Sequence, residues 1–189
     1  MDVDENRAAI LFVQNACQYY ATARFAMHAQ CIPVCGNMFH HAVEMLLKSG
    51  LAKKNTPAEL RALSHSLEKI WLVFKTTFPN SDLNRHDATI SLLHEFENIR
   101  YPDNILKFGM MTTGRWSGPI QDAMAGGVIA SAKSYKIVVS DIDQLFADAF
   151  GAASWNPLAF MPTNAAALEA VQRQNDLKSF FYPAQGNSL

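Results

Sequence analysis

His41 and Glu44 in "HAVE", and His94 and Glu97 in "HEFE", make two His-x-x-Glu pairs in well-separated parts of the chain. Residues three apart share one face of a helix, so each pair offers an imidazole nitrogen and a carboxylate oxygen in one direction. Two such faces meeting inside a helical bundle can hold one or two metal ions. Carboxylate-bridged di-metal bundles use Glu-x-x-His, and here the order is reversed in both pairs. His40 and His65 can add ligands, but nothing in the sequence fixes their direction. Just beyond Glu97 come Arg100, Tyr101, Pro102 and Asp103. Arg100 and Asp103 suit a polar cleft that takes a phosphate or a base, with Tyr101 as a stacking face. The simpler alternative is that Arg100 complements the end of a helix and pairs with a nearby carboxylate while Tyr101 packs.

Other groups promise less. In "CIPVC" three residues separate Cys31 and Cys35, whereas zinc and redox motifs usually have two, so buried structural thiols are expected. The stretch "AGGVIASAK" lacks the Gly-Lys-Ser/Thr that a phosphate-cradling loop requires. Arg115 and Trp116, in "MMTTGRWSGPI", suit either a recognition contact or a Trp anchoring the loop.

The elements that must position these groups are mostly helices. From Arg7 to about Gln30, Ile10, Val13, Cys17, Tyr20 and Arg24 recur at helical spacing without Gly or Pro. Pro33 suits the first turn of a second helix, and Gly50 its C-terminal cap. "TPAE" carries a capping box, Thr56 with Glu59, and opens a helical stretch whose stripe is Leu67, Ile70, Trp71 and Phe74. Ala88, Leu92, Phe96 and Ile99 predict another stripe, ended by Pro102. Five of the nine glycines fall between Gly109 and Gly127, marking an insertion whose apolar flanks, "ILKFGMMTT" and "SYKIVVS", predict two strands paired as a small hairpin. Ser140 is the expected cap of a helix burying Ile142, Leu145, Phe146 and Ala149. A last helix is expected from about Asn164 to Phe181, with a fraying tail after Pro183.

Composition agrees with a folded domain. Of 189 residues 49% are hydrophobic, enough for a real core. Sixteen basic and seventeen acidic residues give a formal charge of -1, so there is no global pull toward nucleic acid or anionic membrane. Three cysteines suit reduced thiols better than a disulfide framework. An acidic start, "MDVDENRAAI", and the lack of a long apolar run lead to the expectation of a cytoplasmic protein that does not enter the membrane. The fold class expected is all-α: an up-and-down helical bundle of four to five helices with a small inserted β-hairpin and glycine-rich loop. A single domain is expected over 1–189, with a core at 7–104 plus a helix at 141–154, an insertion at 105–139 and a C-terminal helix at 163–182.

Four stretches resemble the HEPN domains, helical bundles of prokaryotic toxin–antitoxin pairs, defence systems and RNA-processing proteins. "YYATARFAM" is similar to the family's opening helix and "HHAVEMLLKSGL" to its second, with Ala-x-Glu followed by Leu-Lys. "SHSLEKIW" resembles the His-containing start of the third, and "FENIRYPD" the Arg-Tyr-Pro-Asp close of the fourth. Catalytic members are metal-independent ribonucleases that use an arginine and a histidine with four to six residues between them, two copies facing each other across a dimer. After Arg100 those positions hold Ile105, Leu106 and Lys107, and phosphodiester cleavage needs a proton acceptor as well as a cation. The resemblance therefore implies a homodimer without a cofactor. It would bind RNA or a nucleotide at Arg100, Tyr101 and Asp103, or engage a cognate partner protein, without cleaving. The alternative is an enzyme: a divergent ribonuclease, or a metal-dependent bundle using His41, Glu44, His94 and Glu97.

Overall fold

The computed structural model describes residues 3–79, 82–118 and 132–183, and the side chains from Arg7 onward. The chain is mostly helical, with nine α-helices and one two-stranded sheet among the described residues. No described helix is long and apolar enough to cross a membrane.

Helix α1 (Val3–His28) and helix α2 (Ile32–Leu51) pack along each other more extensively than any other pair. Between them Gln30 takes a left-handed backbone (φ 59°), with Cys31 N–H donating to Ala26 O and Gln30 N–H to Met27 O. These bonds close α1 and turn the chain into α2. Gly50 does not cap α2, because the helix runs on to Leu51. Its missing side chain instead admits Phe74, whose ring lies 2.8 Å from where a Cβ would sit. Gly36 does the same for Phe96, at 2.1 Å.

Thr56 forms the expected capping box with Glu59 at the start of α3 (Pro57–Ala62). That helix is short, and α4 (Leu67–Thr77) follows as a separate element burying Leu67, Ile70, Trp71 and Phe74. In α5 (Asp87–Glu95) the buried stripe is Ile90 and Leu93, continued by Phe96, while Ala88 and Leu92 are exposed. Of the expected stripe only Phe96 and the partly buried Ile99 face the core, in a 3-10 turn over Phe96–Arg100, and the buried residues run from Ile90 through Leu93 to Phe96 in steps of three rather than four. Pro102 then opens another helix, α6 (Pro102–Phe108), at a position where its missing N–H has no consequence.

Strand β1 (Met110–Arg115) pairs with β2 (Lys133–Val138) in parallel, Met110 opposite Lys133 and Arg115 opposite Val138. The expected hairpin is thus corrected to a crossover, which the intervening residues 116–132 are long enough to make. Most of "AGGVIASAK" and the tail beyond Pro183 lie outside the described residues. Trp116 is partly buried, its ring stacked on His28 at 4.2 Å between centroids and near the Arg24 guanidinium, so it anchors this segment.

Helix α7 (Val139–Ala152) buries Ile142, Leu145, Phe146 and Ala149 as expected, but Ser140 lies inside its first turn and Val138 precedes it. The final helical stretch is divided into α8 (Ala165–Gln172), capped by Asn164, and α9 (Lys178–Phe181). Arg24 ties these parts together. Wholly buried, it donates from Nη1 to both Asp143 oxygens at 2.6 Å, from Nε to Ala170 O at 3.0 Å and from Nη2 to Arg173 O at 2.6 Å. Tyr20 adds its hydroxyl to Asp143 at 2.6 Å. Each arm of the guanidinium is therefore satisfied, as a buried cation requires.

Candidate functional site

Glu44 sits in the middle of α2 and is completely buried. A lone buried carboxylate would protonate, and burial by itself raises its pKa. The polar groups around it, the ammonium of Lys48 in direct contact among them, outweigh that effect and hold Glu44 well below the usual carboxylate range. It is an anion.

Its two oxygens have different surroundings. Oε1 accepts from Lys48 Nζ at 2.7 Å and from His65 Nδ1 at 3.0 Å. Lys48 lies one turn along the same helix, and its ammonium also donates to Ser64 O at 2.7 Å. That carbonyl is delivered by a left-handed backbone at Ser64 (φ 52°), which also swings the next residue, His65, toward Glu44. Oε2 has no hydrogen-bond partner among the described residues. Facing it are His41 Nδ1 at 3.5 Å and His40 Nε2 at 3.7 Å.

His40 is also completely buried, and its Nδ1 lies 2.9 Å from Leu93 O on α5. A carbonyl can only accept, so Nδ1 carries the hydrogen and, in the neutral ring, Nε2 presents a lone pair. That lone pair faces a second carboxylate, Glu97 Oε2, at 3.7 Å. Glu97 Oε2 is buried without a hydrogen-bond partner as well, while Oε1 accepts from Arg100 Nη1 at 2.7 Å. Arg100 is 38% exposed and Tyr101, next to it, 58%. The negative charge of Glu44 reaches Arg100 too. Tyr19 of α1, partly exposed, lies against His41 with ring centroids 5.5 Å apart.

The site is thus a buried floor of His40 and Glu44 with a partly exposed rim of Tyr19, His41, His65, Glu97 and Arg100. Of the residues singled out from sequence, His41, Glu44, Glu97, Arg100 and Tyr101 come to this place. Asp103 is exposed in the first turn of α6, and the carboxylate that pairs with Arg100 is Glu97 instead. His94 does not join the converging donor atoms, which belong to His40, His41 and Glu44. Its ring lies beside that of His40 instead, 6.3 Å between centroids.

Comparison with family models, with curated proteins and with solved structures finds no match to this chain.

Lys48 and the central position of His40 were missed as site residues by pattern alone. For Lys48 the signal was present, since a Glu followed four residues later by Lys is a helical ion pair. For His40 it was not, because only the approach of Leu93 O from α5 decides which ring nitrogen faces inward.

Proposed function

We propose that this protein is an up-and-down helical bundle of the HEPN kind, working as a homodimer, that binds a phosphate group of an RNA or nucleotide at the rim of the Glu44 cluster without cleaving it. One observation carries this reading. Residues from all four stretches that carry the resemblance meet at one place: Tyr19 from the first, Glu44 and Lys48 from the second, His65 from the third and Arg100 from the fourth. They lie up to 81 positions apart, and helical packing alone gives no reason for polar groups of four segments to gather around one buried carboxylate.

Arg100 supplies the exposed cation, held in place by Glu97, and Tyr101 supplies an exposed ring beside it. Ile105, Leu106 and Lys107 belong to α6 and offer no imidazole at the spacing the ribonucleases use. A second reading, association with a cognate partner protein, is favoured by α6 itself. That helix has no buried residue and leaves Leu106 85% and Phe108 53% exposed.

Fluorescence anisotropy with a labelled single-stranded RNA and a labelled nucleoside triphosphate, in chelator, tests the proposal. Binding is expected, and Arg100→Ala should weaken it about 10- to 100-fold, the value of one charge-assisted contact. Unaltered binding by Arg100→Ala, or the appearance of RNA fragments, would contradict it.

A further inference from the structure

The inner atoms of the cluster pose a problem that phosphate binding at the rim does not solve. His40 Nε2, Glu44 Oε2 and Glu97 Oε2 are all buried without hydrogen-bond partners among the described residues. In the neutral state all three present lone pairs toward one another. A proton on His40 Nε2 would not close the gaps, since both carboxylate oxygens are 3.7 Å away, beyond the reach of an N–H···O bond.

We propose that His40 Nε2, His41 Nδ1 and Glu44 Oε2 bind one first-row divalent metal ion of the zinc class, and that Glu97, whose Oε2 lies 3.7 Å from His40 Nε2 but outside the converging three, completes the set by a movement of its side chain. The proposal goes beyond the phosphate-binding reading and does not depend on it. The three principal donor atoms lie within 4.8 Å of one another, and those of His41 and His40 are 3.5 and 3.7 Å from that of Glu44. Ligands at about 2.0–2.2 Å from a tetrahedral zinc are themselves separated by about 3.3–3.6 Å. The spacing is thus too wide for direct hydrogen bonds and close to that of atoms sharing an ion.

The atoms behind the donors support the same conclusion. Metal-binding imidazoles usually donate their other N–H to a carbonyl or carboxylate, which fixes the ring, and His40 does so to Leu93 O. Metal-binding carboxylates are held through their outer oxygen. Glu44 Oε1 is held by Lys48 and His65, and Glu97 Oε1 by Arg100. Two imidazoles with two carboxylates suit zinc or its neighbours, and disfavour magnesium and calcium, which take oxygen ligands. Lys48 and Arg100 already offset the two carboxylates, so a divalent ion would leave the rim positive.

Tag-free protein, stripped with chelator and dialysed, would be titrated with Co²⁺ while its visible ligand-field absorption is followed, and then with Zn²⁺ in competition. One ion per chain is expected, with Zn²⁺ displacing Co²⁺. His65→Ala touches only the outer oxygen of Glu44 and should keep the 1:1 stoichiometry with affinity lower by about 10- to 100-fold. His41→Ala, at a partly exposed position, should lose more than that, and Glu97→Gln should alter the Co²⁺ spectrum. Circular dichroism confirms that each variant is folded, and Glu97→Gln carries the test if His41→Ala is not. Absence of ion uptake by the wild type overturns the proposal, as does wild-type affinity in His41→Ala with an unchanged spectrum in Glu97→Gln. Because nucleotide and RNA binding is measured in chelator, failure here leaves that reading intact, and the converse holds.

Discussion

Replacing Glu44 by Gln removes one charge and almost no volume from the centre of the site. The change leaves Lys48, whose side chain is only 9% exposed, with neutral acceptors alone, Ser64 O and the new amide oxygen, and no counter-charge. Breaking a buried ion pair from one side costs about 3–5 kcal/mol. For a chain of this length each kcal/mol lowers the melting temperature by about 2–4 °C, so a fall of roughly 6–20 °C is expected. The effect must also depend on pH. The folded-state pKa of Glu44 is held below its ordinary value of 4.5. Its stabilising contribution is therefore complete above pH 4.5 and is lost as pH falls through the folded-state value. Urea unfolding of both proteins at neutral pH and at a series of acidic pH values should show a wide gap that narrows in acid. Glu44→Gln combined with Lys48→Met should recover much of the loss, because the stranded charge is gone. A loss under about 1 kcal/mol at neutral pH, or a gap independent of pH, would refute the view that an ionised Glu44 holds Lys48 inside the protein.

Gly36→Ala should destabilise the fold by about 1–3 kcal/mol in the same unfolding assay, because its Cβ would stand 2.1 Å from the Phe96 ring, and Phe96→Leu in the same chain should return part of that. Arg24→Met should cost about 3–5 kcal/mol by leaving Asp143 buried without its cation, which thermal unfolding would reveal. Thiol titration of the native protein should modify Cys31 alone. Cys17 and Cys35 are buried, burial pushes both thiols up to about 12, and they should react only after unfolding. Gln30→Gly should raise the melting temperature slightly, by relieving the left-handed backbone at the end of α1.

Where local chemistry decides a feature, the sequence was readable. The Thr56–Glu59 capping box, the stripe Leu67, Ile70, Trp71 and Phe74, and the stripe Ile142, Leu145, Phe146 and Ala149 all depend on neighbours within a few turns. Features decided by distant contacts were not readable. Gly50 has the composition of a cap, yet its place is set by Phe74, a residue from another helix. The two strands have the residues of a hairpin, but their pairing direction depends on where the connecting segment travels. The stripe on α5 was misphased because which face is buried, Ile90 and Leu93 rather than Ala88 and Leu92, is decided by the elements packed against the helix and not by the apolar residues within it. Within the site, His41, Glu44 and Glu97 were found from spacing. His40 required the third dimension, since its ring is oriented by a carbonyl 53 residues away.

The most direct test of the Glu44 cluster as a ligand site is a two-dimensional spectrum correlating ring nitrogens with ring protons in ¹⁵N-histidine-labelled protein, recorded as a nucleoside triphosphate is added in chelator. His40, His41 and His65 surround the proposed site, whereas His28 and His86 lie against Trp116 and Asp148 and serve as internal controls. Saturable shifts confined to the first group, and absent in Arg100→Ala, are expected. Unmoved signals from those three rings, or shifts confined to His28 and His86, would contradict the assignment of this cluster as the place where the protein acts.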